Sequence, residues 1–383
     1  MLHHVFVLLR CCINIPQYRK KTSWPDHLCF KNCNLRSFIE FLNTMYKHAR
    51  ICIIGPGAIG GVVAGILVRD GFQVQLVTKH EDLARKISQS GIEVLGHQGN
   101  FTVQVPSVAR PDQLEGEYDY VFMATKAEAL QEAATSILPF LSNFSRVVSM
   151  QNGICEELLA EVVGEQRTVG CVVGWGGTMH APGKVEMTSG GECILGNWKR
   201  KPDRALQELS EIFSHVAETR TSADIMSELY SKLIINACIT TLGAICGLTL
   251  GQMLAKRQVR ILFINIIREA IEVSEAMALR VAPAAGGKLD YYKFLKPGRF
   301  SGLKRHLTIR IIGMKYRKLK SSSLQSLERG RRTEVENYNG YIAAKGLMYD
   351  VPTPVNAQLT QMVRDIEQGR RTIGPENFQE ITL

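Results

Sequence analysis

The sequence predicts an α/β domain built on a parallel sheet, followed by an all-helical C-terminal domain. Three observations carry this. Residues 51–54 form an unbroken apolar run, as a strand buried on both faces requires. A glycine-rich turn follows directly, then a helical pattern and a second apolar strand. From about Ser222 onward the apolar spacing is helical and stays so.

The first strand leads into Gly55-Pro-Gly57-Ala58-Ile59-Gly60, a complete G-x-G-x-x-G. Gly55 permits the tight turn, and Gly57 lets backbone N–H groups approach a pyrophosphate. Gly60 allows the following helix to pack closely on the sheet, its N-terminus facing the phosphates. In the context strand, glycines, helix, strand, this is the fingerprint of a Rossmann-type dinucleotide-binding domain. Ala58 and Ile59 belong to the same loop. At the end of the second strand an acid commonly holds the ribose 2′-hydroxyl of NAD. Here Thr78 and Lys79 offer a hydroxyl and a cation where a 2′-phosphate would sit, which points to NADPH.

Residues 91–105 alternate and read as a β-hairpin. Two further buried strands end at Thr125-Lys126 and at Gln151-Asn152-Gly153. Ligands of doubly wound sheets bind at the carboxyl ends of the strands, so Lys126 and Asn152 are expected where cofactor and substrate meet. More strands, with turn glycines around Trp175 and at Pro182-Gly183, complete this domain, expected over residues 50–221.

In the second domain, residues 222–383, no charge occurs between Lys232 and Lys256. That run is long enough to span a bilayer. Its Asn236, Thr240, Thr241, Thr249, Gln252 and three glycines argue instead for a buried helix, and no membrane is expected as a partner. Lys232 and Asn236 are four apart and share a helix face that Thr240 continues. They could form a cap or surface edge, or a proton donor and its orienting partner on a pocket wall.

Composition bounds the function. The chain has 383 residues, enough for two domains with sizeable cores; 45% hydrophobic and 21% charged residues exclude a disordered or fibrous protein. The net charge of +10 is uneven: residues 293–320 hold ten Lys/Arg and no acid. No nucleic-acid motif accompanies them, so the run reads as a solvated helix face or an attractor of anionic ligands, with no nucleic acid expected. Cys52, Cys171, Cys193, Cys238 and Cys246 sit singly in apolar segments, as reduced buried cysteines do. Residues 1–49 form a basic extension that reads as a targeting segment or as sequence preceding a true start at Met45. Its Cys11, Cys12, Cys29 and Cys33 fit no zinc spacing, and no metal is expected. The protein is expected in the cytoplasm, or in mitochondria if the extension is a presequence.

From about residue 51 to 371 the chain resembles the ketopantoate reductase (2-dehydropantoate 2-reductase) family. The likeness rests on GPGAIG, ATKA, QNG, ELYSKLIINA and SSSLQSLERGRRTEVENYNGYI, in that order. It implies a Rossmann domain and a helical domain with the active site between them, where NADPH reduces a small 2-oxoacid, 2-oxopantoate, to pantoate. It also implies that Lys232 is the general acid and that Glu334 assists at the substrate. Asn236, Ser322 and the polar position of Thr240 would line the substrate, with Lys126 and Asn152 beside the cofactor. A ketone reduced to an alcohol needs a proton donor at its oxygen, and a lysine in a desolvated cleft can serve. Thr240 stands where many members carry a second asparagine, and the basic segment and the Gly-flanked Trp175 are unlike the compact members. These departures keep open a reductase of another bulky 2-oxoacid. A silent NADP-binding protein is the other alternative, and a homodimer through the helical domain has no decisive signal.

Overall fold

In the computed structural model, which describes residues 47–381, the first apolar run forms β1 (Arg50–Ile54), buried along all but its first residue. The extension's targeting reading, Met45 and its four cysteines lie outside the described residues. β2 (Gln73–Val77) pairs parallel with β1, as does β6 (Tyr118–Met123) on its other side. With β5 (Ser107–Val108), β7 (Leu141–Ser149) and β8 (Thr168–Val173), the parallel strands run in the order β5-β2-β1-β6-β7-β8. This is the doubly wound order, whose ligand crevice opens between β1 and β6 where the winding reverses. Antiparallel β11 (Cys193–Asn197) and then β12 (Thr219–Thr221) extend the sheet beyond β8.

The hairpin expected at residues 91–105 is present as β3 (Ile92–Gly96) and β4 (Phe101–Val103). It joins β9 (Gly176–Ala181) and β10 (Lys184–Ser189) in a separate four-stranded sheet, ordered β4-β3-β10-β9. α1 (Ala58–Arg69) lies between the two sheets. Its glycines make this possible. A Cβ on Gly60 would overlap the Gly55 carbonyl on the large-sheet side, and one on Gly61 would sit 2.9 Å from Val185 of the small sheet. Around the large sheet pack α2 (Glu81–Ser90), α3 (Leu130–Ser136), α4 (Glu156–Val163) and α5 (Arg204–Ser214).

The helical domain is organised on α6 (Ile225–Cys246), started by the Asp224 carboxylate accepting from Ser227 N at 3.1 Å and ended by left-handed Gly247. By length and composition α6 could cross a bilayer, but 78% of its most apolar window is buried inside the protein. Around it stand α7 (Leu250–Ala255), α8 (Arg257–Ala276), the short α9 (Ala284–Gly287) and α10 (Tyr291–Leu295), then α11 (Ser301–Lys315), α12 (Ser322–Glu328), α13 (Asn339–Met348) and α14 (Pro354–Glu367). The uncharged run is therefore the core of this domain. Cys52, Cys155, Cys171, Cys193, Cys238 and Cys246 are all buried free thiols.

Candidate active site

The glycine loop is shaped for an anion. Gly55 has φ +109°, and a Cβ there would stand 2.8 Å from the Ala124 carbonyl oxygen at the end of β6. Gly57 caps α1 with no side-chain hydrogen bond, leaving the first-turn N–H groups of Ala58, Ile59 and Gly60 without helical acceptors. A Cβ on Gly57 would meet nothing within 4 Å, so the space in front of the helix is open. The Ala58 and Ile59 side chains pack beside Gly177 and thereby fix the loop against β9. A dinucleotide's pyrophosphate fits this cradle.

Beyond β2, Lys79 is exposed at the strand's carboxyl end. Thr78 corrects the expectation for its hydroxyl. It is buried, and its Oγ1 donates toward the carbonyls of His80 (3.1 Å) and Val108 (3.3 Å), which ties β2 to β5 rather than facing a ligand.

Lys232 lies where the two domains join. The first turns of α6 press on the sheet: a Cβ on Gly170 of β8 would lie 2.8 Å from Ile225 and 3.2 Å from Leu229. One turn on, half-buried Lys232 donates through Nζ to the Val173 carbonyl at the end of β8, 2.7 Å away. Two buried tyrosines hold this part of α6: Tyr230 Oη donates to Ala270 O (2.9 Å), and Tyr291 Oη donates to Ser231 O (2.7 Å). Burial pushes the lysine's pKa below its ordinary value, and the acidic groups of Cys171, Glu334, Cys193 and Glu156 act against that shift.

Glu334 comes to the same place from the C-terminal segment. Its Oε2 accepts from Asn152 Nδ2 (3.2 Å) and from the buried Tyr338 hydroxyl (2.8 Å). The turn is close: at Gly153, φ +90°, a Cβ would stand 2.7 Å from Asn337. Lys126 is exposed at the end of β6, its Nζ 3.5 Å from the Arg332 carbonyl. Loops from two β-strands, β6 and β7, thus meet the segment around Glu334.

The remaining expected positions differ in what they offer. Asn236 is half-buried one turn beyond Lys232. Thr240 is buried, 6% exposed, and its hydroxyl donates to the Asn236 carbonyl at 2.7 Å, so it has no proton left to donate to a substrate. Ser322 is exposed on the first turn of α12, while its neighbour Ser321 caps that helix and donates to the Thr240 carbonyl (3.2 Å). The serine run therefore docks α12 on α6 through Ser321 and leaves Ser322 open.

Sequence reasoning missed four residues. Gln151 is buried and ties the strand ends together: its Nε2 donates to Met123 O (2.9 Å) and Thr125 O (3.1 Å), and its Oε1 accepts from Ser149 (2.8 Å). Tyr338 orients Glu334. Trp175 is buried with its indole N–H turned toward the Cys193 sulfur, its ring beside Gly177. Glu156, the first residue of α4, is fully buried, its carboxylate only weakly met by the Ser149 hydroxyl and by the N–H groups of Cys155 and of Glu156 itself. Burial pushes its carboxyl up to about 7. Glu269, also buried, shows the usual arrangement: its oxygens accept from Val355 N, Asn356 N and Asn356 Nδ2 and so start α14. Tyr338 had a signal, lying four residues after Glu334, as did Gln151 in the QNG strand end and Trp175 among its glycines; Glu156 had none before the domains were assembled.

Known proteins bear on this arrangement. The family described as "Ketopantoate reductase PanE/ApbA" matches residues 51–200, and its C-terminal domain matches residues 224–367. A 2-dehydropantoate 2-reductase of Aquifex aeolicus is 26% identical over 322 residues, covering 82% of this chain and 96% of that protein. One from Mesorhizobium japonicum is 27% identical over 338 residues, covering 82% and 97%. The crystal structure of a PanE/ApbA family ketopantoate reductase from Ralstonia eutropha superimposes with TM-score 0.71 at 26% identity, covering 84% of this chain and all of that one. D-mandelate dehydrogenase in complex with NADH shares the fold, with TM-score 0.71 at 20% identity and coverage of 84% and 100%. With both of its domains matched, the chain belongs to the ketopantoate reductase PanE/ApbA family, an oxidoreductase family that works with a dinucleotide.

Proposed function

We propose that this protein reduces 2-dehydropantoate to pantoate with NADPH, using Lys232 as the general acid. The observation that carries the reading is Lys232 itself: a half-buried lysine at the domain junction, within electrostatic reach of Glu334, which Asn152 holds from a distant part of the chain. A bound nicotinamide supplies the hydride. The backbone of Gly55, Gly57, Ala58, Ile59 and Gly60 holds the pyrophosphate, and Lys79 pairs with the 2′-phosphate. Lys126 and Asn152 flank the cofactor at the strand ends.

An ammonium has three N–H groups, and Val173 O takes one. The other two are available to the substrate's carbonyl oxygen, which receives a proton as it becomes the product hydroxyl. Partial desolvation makes Lys232 a stronger acid than a surface lysine, which suits that transfer. Glu334, oriented through Oε2, has Oε1 to accept from the lysine or from the product hydroxyl. Asn236 and Ser322 serve the substrate's carboxylate and polar end.

A second reading is favoured by Thr240. With its proton donated to Asn236 O, this shorter side chain cannot donate to a substrate as an asparagine amide would, which leaves room for a bulkier 2-oxoacid. The experiment is NADPH oxidation, followed by absorbance, against 2-oxopantoate and a panel of other 2-oxoacids. Oxidation with 2-oxopantoate well above the panel supports the first reading. Preference for an apolar branched or aromatic 2-oxoacid replaces it with the second, and no oxidation with any removes both.

A further inference from the structure

The basic segment forms an amphipathic helix turned outward. Four large apolar residues of α11 are exposed: Leu303 (70%), Leu307 (56%), Ile311 (55%) and Met314 (66%). At about 3.6 residues per turn their spacing makes one continuous stripe. The opposite face holds α11 to the protein, with Ile309 buried and Gly313 so close that a Cβ there would lie 2.8 Å from Leu254 of α7. Exposed Arg310 borders the stripe on one side, and exposed Lys304 and Lys315 border it on the other. Phe300, 61% exposed, extends the apolar surface at the N-terminal end. Arg305 is not part of this face, because its guanidinium donates to the carbonyls of Phe294 (2.9 Å) and Leu295 (2.5 Å).

Charge decides what can cover the stripe. Residues 293–320 contain no carboxylate. The acids flanking them in sequence, Asp290 and Glu328, are paired with Lys293 (3.4 Å) and Lys320 (2.6 Å). A second copy laid stripe to stripe would bring Arg310, Lys304 and Lys315 of both chains together without a counter-charge. An anionic bilayer satisfies both halves of the pattern: apolar side chains enter the acyl boundary while the bordering cations meet headgroup phosphates.

We propose that α11 docks this protein on anionic lipid bilayers, lying in the interfacial plane without crossing it. The attachment is peripheral and separate from any span, since the long apolar helix α6 is committed to the domain core.

The test is co-sedimentation of the full chain with phosphatidylcholine vesicles, with and without about 30 mol% phosphatidylglycerol, at low salt and at about 0.5 M NaCl. The expected result is binding to the anionic vesicles that is at least about tenfold stronger than to neutral ones and weakens with salt. Leu303→Glu/Leu307→Glu should lose about tenfold or more of that binding, with unchanged circular dichroism, because both side chains point outward. Lys304→Gln/Lys315→Gln, which keeps the stripe, should lose mainly the salt-sensitive part. Equal binding by the Leu303→Glu/Leu307→Glu protein would overturn the proposal in favour of bare charge. Absence of vesicle binding would also overturn it. Light scattering then identifies the replacement: a dimer split by Leu303→Glu/Leu307→Glu means a second copy covers the stripe, and a monomer throughout leaves an acidic protein or solvent.

Discussion

Asn152 and Glu334 are separated by 182 positions in the chain, yet Asn152 Nδ2 donates to Glu334 Oε2 at 3.2 Å. This bond links the end of a sheet strand to the helical domain and holds the carboxylate within electrostatic reach of Lys232. Asn152→Ala should lower turnover by about 10- to 100-fold through a misplaced Glu334, while costing only about 1 kcal/mol of stability. Steady-state kinetics and thermal unfolding check both halves. Asn152→Asp should be worse, because it sets two carboxylates against each other.

Glu156 makes stability depend on pH. Its carboxyl rises from an ordinary 4.5 to about 7 on burial. Between those values the folded protein binds the proton and the unfolded chain does not, so stability falls as pH rises through that window and stays lower above it. The loss is about 3 kcal/mol at pH 8. Glu156→Gln should therefore raise the melting temperature at pH 8 and change it little at pH 4.5. An equal effect at both values would show that the carboxyl's ionisation is not the cause.

Two glycines of one motif should fail differently. Gly60→Ala puts a methyl into the Gly55 carbonyl, a backbone clash that should cost about 2 kcal/mol or more. Gly57→Ala meets open space at φ −67° and should fold normally. Its methyl would occupy the phosphate approach, so NADPH binding should weaken by about tenfold or more. Thermal unfolding and fluorescence titration separate the two.

Cofactor choice should turn on Lys79. Lys79→Asp replaces the cation with the acid that holds a ribose 2′-hydroxyl, and the NADPH-to-NADH ratio of kcat/KM should fall by about tenfold or more. An unchanged ratio would remove the residue from the 2′-phosphate.

The glycine loop and the sheet around it were legible because each needs particular residues locally: an apolar strand, a φ that only Gly55 adopts easily, a helix that tolerates no side chain at Gly60. Long-range contacts decided the rest. Thr78 reads as an available hydroxyl until the fold buries it beside β5, with its proton shared between His80 O and Val108 O. In the run Ser321-Ser322-Ser323 nothing local says which serine caps; the docking of α12 on α6 selects Ser321. Glu156 reads as an exposed acid favoured at a helix start, and only α6 closing over Gly170 leaves it dry. The small sheet joins β3 to β10 across almost ninety intervening residues, which no local pattern encodes.

The central claim is that Lys232 supplies the proton. The direct measurement is turnover of Lys232→Ala with NADPH and the best 2-oxoacid, alongside NADPH affinity and melting temperature for the same protein. Turnover lower by about two to four orders of magnitude, with cofactor binding and folding intact, is the expected result. Near-wild-type turnover would contradict it and move the proton donor elsewhere in the cleft.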